Sequence, residues 1–275
     1  MTQIVGFVGK KQSGKDTSCN FLLAMKLAEL NVCDVSRIND DGEVEVSDVL
    51  GEKDPALEWI PFKPPHVDVD GLFESELGQF IRIYALAGTL KDMAVQILGL
   101  SPEQAYGTDV DKNTLTDLFW ENMPGIISAT ELKNQKISKK AAATLGLTVH
   151  ESGAMTGREV LQYVGTDMFR KMNSNVWLDS LFRKIKEDSP ELALISDVRF
   201  LNEAEWIKRR GGFLVGLDRN PSTKEDSHAS EKAVEECLVA CDIVIENSKM
   251  TIAEQNKEIY QALSHLENAV PRIED

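Results

Sequence analysis

A short apolar segment followed by a glycine-rich loop constrains this chain more than any other feature. Ile4–Val8 is bounded by glycine and predicts a buried strand. The loop Gly9–Thr17 comes next and fits the pattern GxxxxGK, and residues 16–31 then carry apolar side chains at helical spacing. A strand, a glycine loop and a helix in this order are typical of a site that binds the phosphates of a nucleotide.

The residue types of the loop fit that chemistry. Gly9 and Gly14 allow the backbone to curl so that successive N–H groups point inward at phosphate oxygens. The N-terminus of the following helix adds partial positive charge, and Lys15 is placed to reach the β- and γ-phosphates. The alternative is an ordinary strand-to-helix turn with a solvated lysine. The strand before the loop and the helix after it favour nucleotide binding.

Asp16 stands where this loop pattern usually has serine or threonine. Its carboxylate could hold Mg²⁺ directly or through water. It could instead cap the helix by accepting backbone N–H bonds, with Thr17 supplying the hydroxyl. The sequence leaves both alternatives open, so Asp16 and Thr17 are both candidate metal residues.

Strands and helices alternate along most of the chain. Three further segments predict buried strands, and apolar side chains at helical spacing precede or follow each of them; the segments are Leu192–Ile195, Phe213–Leu217 and Asp242–Ile245. This alternation predicts a three-layer α/β fold with a parallel central sheet and helices on both faces. We expect one domain over residues 1–275. Residues 34–79 are acidic and proline-containing, with a hairpin candidate at Asp40–Gly42, and we interpret them as an insertion.

Two polar segments follow predicted strands. Asp197 and Arg199 come just past the strand that begins at Leu192, where ligands bind in parallel α/β sheets. Asp197 is therefore a candidate for the metal or for a proton, and Arg199 for phosphates; the alternative is a structural ion pair. Residues 219–230 form a polar segment that begins with Arg219 and predicts a lid carrying positive charge over the phosphates, or else an ordinary surface loop.

Residues 157–170 predict an amphipathic helix. Its polar side steps four residues at a time through Arg158, Gln162, Thr166 and Arg170. Such a stripe is either a solvated face or a clamp for an anionic substrate, in which the amide reads a base edge. Gly165 interrupts it with a poor helix former, which favours the clamp.

Composition excludes several classes of function. The chain has 30 basic and 45 acidic residues and therefore a formal net charge of −15. This charge argues against a protein that binds nucleic acid through its phosphates. No apolar run is long enough to span a membrane. The four cysteines form no CxxC pair, which suits a reducing compartment, so we expect a cytoplasmic protein.

Five motifs together resemble the deoxynucleoside monophosphate kinases of tailed phages. The resemblance extends over most of residues 1–265, except 34–79 and much of 107–150. Animal-type phosphomevalonate kinase is similar at several of the same places. The motifs are Gly9–Thr17 with its GKDT ending, Leu86–Asp92 (LAGTLKD), Arg158–Arg170 (REVLQYVGTDMFR), Ser196–Arg199 (SDVR) and Asp242–Asn247 (DIVIEN).

The resemblance implies a P-loop nucleoside monophosphate kinase-like fold and phosphoryl transfer from ATP, with Mg²⁺, to a (deoxy)nucleoside monophosphate. It implies that Ser13 to Thr17 contact ATP and that Asn247 lies beside the adenine. It also implies that residues 107–156 form the acceptor side and that Leu90 and Lys91 border the acceptor. Three more side chains hold its monophosphate and base: Arg158, Gln162 and Arg170. Asp197 and Arg199 serve the metal and the phosphates, and the compartment would be the host-cell cytoplasm for a phage protein.

Two alternatives remain at this point. One is a kinase of another small phosphorylated metabolite on the same scaffold, such as phosphomevalonate or a CoA precursor. The other is a nucleotide-binding regulatory protein. The sequence leaves open the accepted base and sugar, and whether the chain forms a homodimer.

Overall fold

The computed structural model describes residues 2–30, 33–49, 60–62, 77–219 and 229–266. The chain divides into two compact units, one made of Met1–Leu86 with Leu178–Asp275 and the other of Ala87–Trp177. Large parts of the predicted insertion, and residues 220–228 of the predicted lid, lie outside the described residues. The single domain, the insertion, the acceptor-side region and the lid therefore stay predictions.

The strands of the described residues are, in chain order, β1 (Gln3–Gly9), β2 (Cys33–Ile38), β3 (Val44–Val49), β4 (Ile60–Phe62), β5 (Ile81–Tyr84), β6 (Leu115–Phe119), β7 (Ile126–Ile127), β8 (Thr148–Val149), β9 (Ala154–Thr156), β10 (Leu192–Val198), β11 (Phe213–Leu217) and β12 (Ile243–Ile245).

The helices are α1 (Lys15–Glu29), α2 (Gly78–Phe80), α3 (Gly88–Gln96), α4 (Pro102–Tyr106), α5 (Asp109–Lys112), α6 (Ala129–Asn134), α7 (Lys139–Thr144), α8 (Gly157–Gln162), α9 (Val176–Asp188), α10 (Leu201–Arg209), α11 (Ala229–Val239) and α12 (Ile252–Leu263), with a 3₁₀ turn at Trp120–Asn122 and a π-helix at Tyr163–Arg170. No helix of the described chain is both long and apolar enough to cross a lipid bilayer.

The core of the first unit is a five-stranded sheet with the order β12-β11-β1-β10-β5. Every pairing in it is parallel. The strand that leads into the glycine loop, β1, lies in the middle between β10 and β11. The carboxyl ends of these three strands therefore share one edge, as the sequence predicts for a ligand site.

Both faces of the sheet are covered. Val5 and Phe7 of β1 pack into one apolar cluster with residues of α1 and α12. Ile4 and Val8, on the opposite face, pack into a second cluster with residues of α9, α10 and α11. This alternation with a period of two buries the strand completely. The predicted α/β fold with a parallel central sheet flanked by helices is confirmed.

A hairpin forms where it was predicted. Strands β2 and β3 pair antiparallel, and β4 adds a third strand. In the turn between β2 and β3, Oδ1 of Asn39 accepts hydrogen bonds from the backbone N–H groups of Asp41 and Glu43. Gly42 has φ +80°, a left-handed conformation that favours glycine.

The second unit has its own apolar core, which includes Leu90, Met155, Val160 and Trp177. Its predicted amphipathic helix begins at Gly157 but changes to a π-helix at Tyr163. There the indole N–H of Trp177 donates to the carbonyl oxygen of Gly165 (3.0 Å). Gly165 also leaves room for Leu90, because a Cβ at this position would lie 2.5 Å from Cδ2 of Leu90. Glycine here is therefore a packing requirement.

Gly165→Ala should destabilise the protein by about 1–3 kcal/mol, because the added methyl overpacks a buried contact with Leu90. Gly88→Ala is the matched control, since a Cβ at Gly88 meets no atom within 4 Å and alanine favours a helix. Urea unfolding of both variants measures the difference. Equal stability of the two variants would contradict the packing role of Gly165.

Candidate nucleotide site

The loop between β1 and α1 adopts backbone conformations that turn it sharply. Gln12 has φ 61° and Gly14 has φ 95°, both in the left-handed region. Positive φ is uncommon for a residue with a side chain, so Gln12 marks a turn that the fold enforces. The backbone N–H of Ser13 donates to the carbonyl oxygen of Lys10 (3.2 Å) and closes this turn. Such a curl is the geometry by which successive N–H groups form an anion-binding concavity.

Gly9 is required by the space around it. A Cβ at this position would lie 2.3 Å from Oγ of Ser13 and 2.9 Å from the carbonyl oxygen of Leu217. The second neighbour is backbone and cannot move cheaply, and Ser13 is itself fully buried. The loop can therefore pass the end of β11 only if residue 9 lacks a side chain, which fits a phosphate cradle.

Lys15 points its ammonium group back at the loop. Its Nζ donates to the carbonyl oxygens of Gly9 (2.8 Å) and Lys10 (2.6 Å), and Oγ of Ser13 is 3.4 Å away. The side chain is only 6 % exposed. A buried ammonium needs such partners, because its desolvation is costly. A phosphate entering the loop meets this positive charge together with the backbone N–H groups.

The buried thiol of Cys19 on α1 lies near both the loop and Asp197, a residue at the carboxyl end of β10. Burial raises the pKa of Cys19 well above its ordinary value, the negative charges of Asp16 and Asp197 raise it further, and the charge of Lys15 lowers it. One thiol on α1 thus lies within electrostatic reach of all three predicted charged residues. Oδ1 of Asp197 also accepts a hydrogen bond from the backbone N–H of Leu86 (2.7 Å), which ties it to the end of β5. Because β1 and β10 are parallel neighbours, the loop and Asp197 lie at strand ends on the same edge of the sheet, while their joint role at a site stays a prediction.

Asp16 and Thr17 have different surroundings. Asp16 is exposed, and its carboxylate accepts no hydrogen bond from the residues that the structure describes. Thr17 lies against the hairpin turn, since a Cβ on Gly42 would come within 2.3 Å of its Oγ1. Nδ2 of Asn20 donates to the carbonyl oxygen of Gly42 (2.9 Å) and fixes the turn to α1. Of the two alternatives for Asp16, these contacts favour a carboxylate that is free to reach a metal ion.

The donor set fits Mg²⁺ bound together with phosphates. Within the described residues, no three His, Cys, Asp or Glu side chains gather as a metal cage. Mg²⁺ in nucleotide sites uses only one or two carboxylates and takes its other ligands from phosphates and water. Asp16 and Asp197 can supply these carboxylates.

Asn247 lies behind the loop. It is fully buried, and its Nδ2 donates to the carbonyl oxygen of Ser13 (2.8 Å) and to Oε1 of Gln255 (2.6 Å). What the structure describes is a contact with the phosphate loop. The contact with adenine that the resemblance implies stays a prediction.

Two other predicted residues lie at strand ends. The backbone N–H of Arg199 donates to the carboxylate of Glu203 (2.9 Å), a side chain that is only 1 % exposed. Arg219 is half-buried and follows β11 after one intervening residue. The phosphate contacts of both arginines stay predictions.

The predicted acceptor residues all belong to the second unit. Leu90 is buried in its core. Nζ of Lys91 lies 5.1 Å from the ring centroid of Tyr106, whose hydroxyl donates to Asp92. The guanidinium of Arg158 is held by Asp109 (2.6 Å) and Asn113 (3.1 Å). Gln162 is exposed and Arg170 is half-buried.

Parts of the chain are similar to known deoxynucleotide monophosphate kinases. Residues 125–259 match the family model described as deoxynucleotide monophosphate kinase. A protein of Acanthamoeba polyphaga mimivirus, named as a candidate deoxynucleotide monophosphate kinase, is 29 % identical over 193 residues, which are 66 % of this chain and 82 % of that protein. The chain is similar to these proteins. A deoxynucleoside-5'-monophosphate kinase of Escherichia phage T5 is 42 % identical over 52 residues, 18 % of this chain and 21 % of that protein. The family match and the two relatives confirm the resemblance to deoxynucleoside monophosphate kinases that the five motifs show.

Two residues of the site escaped the sequence analysis. Gln255 contacts the loop from α12, and Asn20 anchors the hairpin turn. Gln255 could have been found from its position, because it shares the buried face of α12 with Ile259 and Leu263. An amide on an otherwise apolar helix face needs a polar partner. Nothing in the sequence marks Asn20, whose partner lies in the insertion.

Lys15→Met should lower kcat/KM for ATP at least about 100-fold, because it removes the charge that faces the phosphates. Lys10→Met is the control, since the ammonium of Lys10 pairs with Glu235 (2.9 Å) and exposed pairs contribute at most about 1 kcal/mol. Steady-state kinetics and circular dichroism of both variants provide the comparison. Wild-type kinetics in a folded Lys15→Met protein would refute the phosphate loop.

Proposed function

We propose that this protein transfers the terminal phosphoryl group of ATP to a deoxynucleoside monophosphate, with Mg²⁺, and releases the diphosphate and ADP. The observation that carries the proposal is the buried ammonium of Lys15 inside a loop that only glycine at position 9 permits. The family match and the names of the two relatives support the same reaction.

The residues present suffice for this chemistry. Phosphoryl transfer depends mainly on positioning and on neutralising the charge of the moving group. Lys15 and the loop N–H groups supply fixed positive charge at the donor. Asp16 and Asp197 would hold Mg²⁺, which would supply further positive charge to the phosphates. An oxygen of the acceptor phosphate attacks the γ-phosphorus while the bond to the β–γ bridging oxygen breaks. This oxygen is already ionised, so the reaction needs no strong general base.

The acceptor is held by residues of the second unit. Arg158 and Arg170 carry the charge for its phosphate, and the amide of Gln162 can read the donor and acceptor groups of a base edge. Lys91 adds a further cation, and Leu90 an apolar border. Asp109 and Asn113 orient the guanidinium of Arg158 before the acceptor binds. An acceptor phosphate then has to displace the carboxylate of Asp109 from this guanidinium.

A coupled assay with ATP and a panel of acceptors tests the reaction. The panel contains the deoxynucleoside and ribonucleoside monophosphates, phosphomevalonate and dephospho-CoA. We expect at least one deoxynucleoside monophosphate to be the best acceptor. The comparisons do not favour the other metabolite kinases or a regulatory protein, and phosphorylation of phosphomevalonate or dephospho-CoA alone, or hydrolysis without transfer, would reject the proposal.

Asp16→Asn should raise the Mg²⁺ concentration needed for half-maximal rate, because it removes a carboxylate ligand of the metal. Asparagine caps helices about as well as aspartate, so helix stability should not change. Titration of Mg²⁺ at saturating ATP, with thermal melting as the control, separates the two roles. An unchanged half-saturation would leave capping as the better explanation.

Arg158→Met should lower kcat/KM for the acceptor about 10- to 150-fold, which corresponds to one charge-assisted hydrogen bond of roughly 1.5–3 kcal/mol. Asp109→Asn should lower the acceptor KM or leave it unchanged, because it removes the competing carboxylate. Both variants are assayed at saturating ATP. If Arg158→Met keeps the wild-type acceptor kinetics, the polar stripe is only a solvated face.

A further inference from the structure

Two buried amides hold the phosphate loop from behind. Gln255 of α12 is 4 % exposed, and its Nε2 donates to the carbonyl oxygen of Gly14 (3.2 Å) and to Oγ of Ser18 (3.0 Å). Its Oε1 accepts from Nδ2 of Asn247, which also donates to the carbonyl oxygen of Ser13. We call Gln255 and Asn247 the amide pair. Together they contact two successive carbonyl groups of the loop.

The orientation of both amides follows from their partners. The carbonyl oxygens of Ser13 and Gly14 can only accept, so an N–H must face each of them. Oγ of Ser18 donates its own hydrogen to the carbonyl oxygen of Gly14 (3.0 Å), so it accepts from Gln255. Both N–H groups of each amide are therefore used. Oδ1 of Asn247 is left buried without a partner among the described residues.

These contacts help to set where the loop N–H groups point, together with the backbone N–H of Ser18, which also donates to the carbonyl oxygen of Gly14 (2.9 Å). In a trans peptide, the C=O and the N–H of one unit point in opposite directions. When the amide pair holds the carbonyl oxygens of Ser13 and Gly14 on the outer side, the N–H groups of Gly14 and Lys15 must face the inner side. Those are the donors that a phosphate meets in such a loop.

The backbone of Gly14 and the side chain of Gln255 are also packed closely together. A Cβ on Gly14 would lie 2.6 Å from Oε1 of Gln255 and 2.8 Å from its Nε2. The loop therefore packs directly on the amide, and a rotation of the Gly14 peptide would break its hydrogen bonds to Gln255 and to Ser18. An apolar residue would suit this face of α12 better, because its neighbours Ile259 and Leu263 are fully buried in the core. A buried amide is costly unless its hydrogen bonds are made.

We propose that Gln255, acting through Asn247 and the backbone of Gly14, is a positioning residue that aims the loop N–H groups at the phosphates of the nucleotide. This inference rests on the part of the proposed function that concerns ATP binding and does not depend on the acceptor. Preorganised donors need no rearrangement when the phosphate arrives, and for that reason they stabilise it strongly. Loss of the amide should therefore weaken nucleotide binding more than it weakens the fold.

The test compares Gln255→Met with Gln261→Met. Methionine keeps the length of glutamine but removes its donors, and Gln261 is an exposed glutamine on the same helix. Calorimetric titration with ATP and Mg²⁺, without acceptor and well below the melting temperature, gives the dissociation constant. We expect it to rise about 10-fold in Gln255→Met, because the hydrogen bonds of Gln255 with Gly14, Ser18 and Asn247 are lost, and to stay at the wild-type value in Gln261→Met. In kinetics, the KM for ATP should rise while the KM for the acceptor stays the same.

Ser18→Ala serves as a second variant that introduces only a small change. It removes the oxygen that accepts from Gln255 and one donor to the carbonyl oxygen of Gly14, so ATP affinity should fall about threefold. This variant decides the question if Gln255→Met does not fold.

A lower melting temperature with unchanged ATP affinity, in both variants, would overturn the positioning role and leave the amide as a structural group. Failure of wild-type protein to bind ATP would overturn it as well. If the wild-type protein binds ATP but phosphorylates no acceptor of the panel, the proposed reaction fails, while the comparison of affinities still supports or rejects the role of Gln255.

Discussion

Burial of the Lys15 ammonium is the constraint on which the first unit depends. A lysine that is 6 % exposed is unstable unless polar groups replace its water, and here the carbonyl oxygens of Gly9 and Lys10 do so. Those carbonyls can turn inward only because the loop curls through two left-handed residues and because Gly9 has no side chain. The curl in turn needs a rigid strand before it and a helix after it. The strand β1 is rigid because it lies in the centre of the sheet. The charge that binds phosphate and the backbone that surrounds it are thus one arrangement.

The regular elements were predictable where periodicity is strong. β11 occupies the predicted residues, and β1, β10, α1 and α9 agree within a few residues, because their apolar side chains alternate or repeat with the right period. β5 was missed because its sequence, Ile81–Tyr84, contains Arg82, which reads as a break in an apolar run. In the structure Arg82 forms an ion pair with Asp188 (3.3 Å), and the hydroxyl of Tyr84 donates to the same carboxylate (2.8 Å). A charged residue in an edge strand is thus stabilised by a partner more than a hundred residues away, which local patterns cannot show.

The candidate site likewise contains residues that local sequence patterns predict and residues that they do not. A loop motif and a strand end each have a local signature, so the sequence predicts Lys15, Asp16 and Asp197 as site residues. The structure brings all three within electrostatic reach of one buried thiol, and their roles stay predictions. The support behind the loop could not be predicted. Gln255 reaches Gly14 across 241 positions of sequence, and the turn at Gly42 meets Thr17 only because the hairpin of β2 and β3 folds back on α1. Similarly, no spacing rule predicts the π-helix at Tyr163–Arg170 or the packing of Gly165 on Leu90.

The two sets of predicted ligands differ in how their charges are held, and this difference has a physical consequence. Lys15 is buried and held by the backbone carbonyl oxygens of Gly9 and Lys10. Arg158 is one-third exposed and pairs with Asp109, which is 55 % exposed. An exposed ion pair contributes at most about 1 kcal/mol, so an incoming phosphate can displace the carboxylate at little cost. A side chain that binds the same triphosphate in every cycle binds it better when it is rigid. A side chain that selects an acceptor binds it better when its own ion-pair partner is displaced at little cost. Under the proposed function, we therefore expect the buried framework of the first unit to set affinity for the donor, and the exposed side chains of the second unit to set discrimination among acceptors.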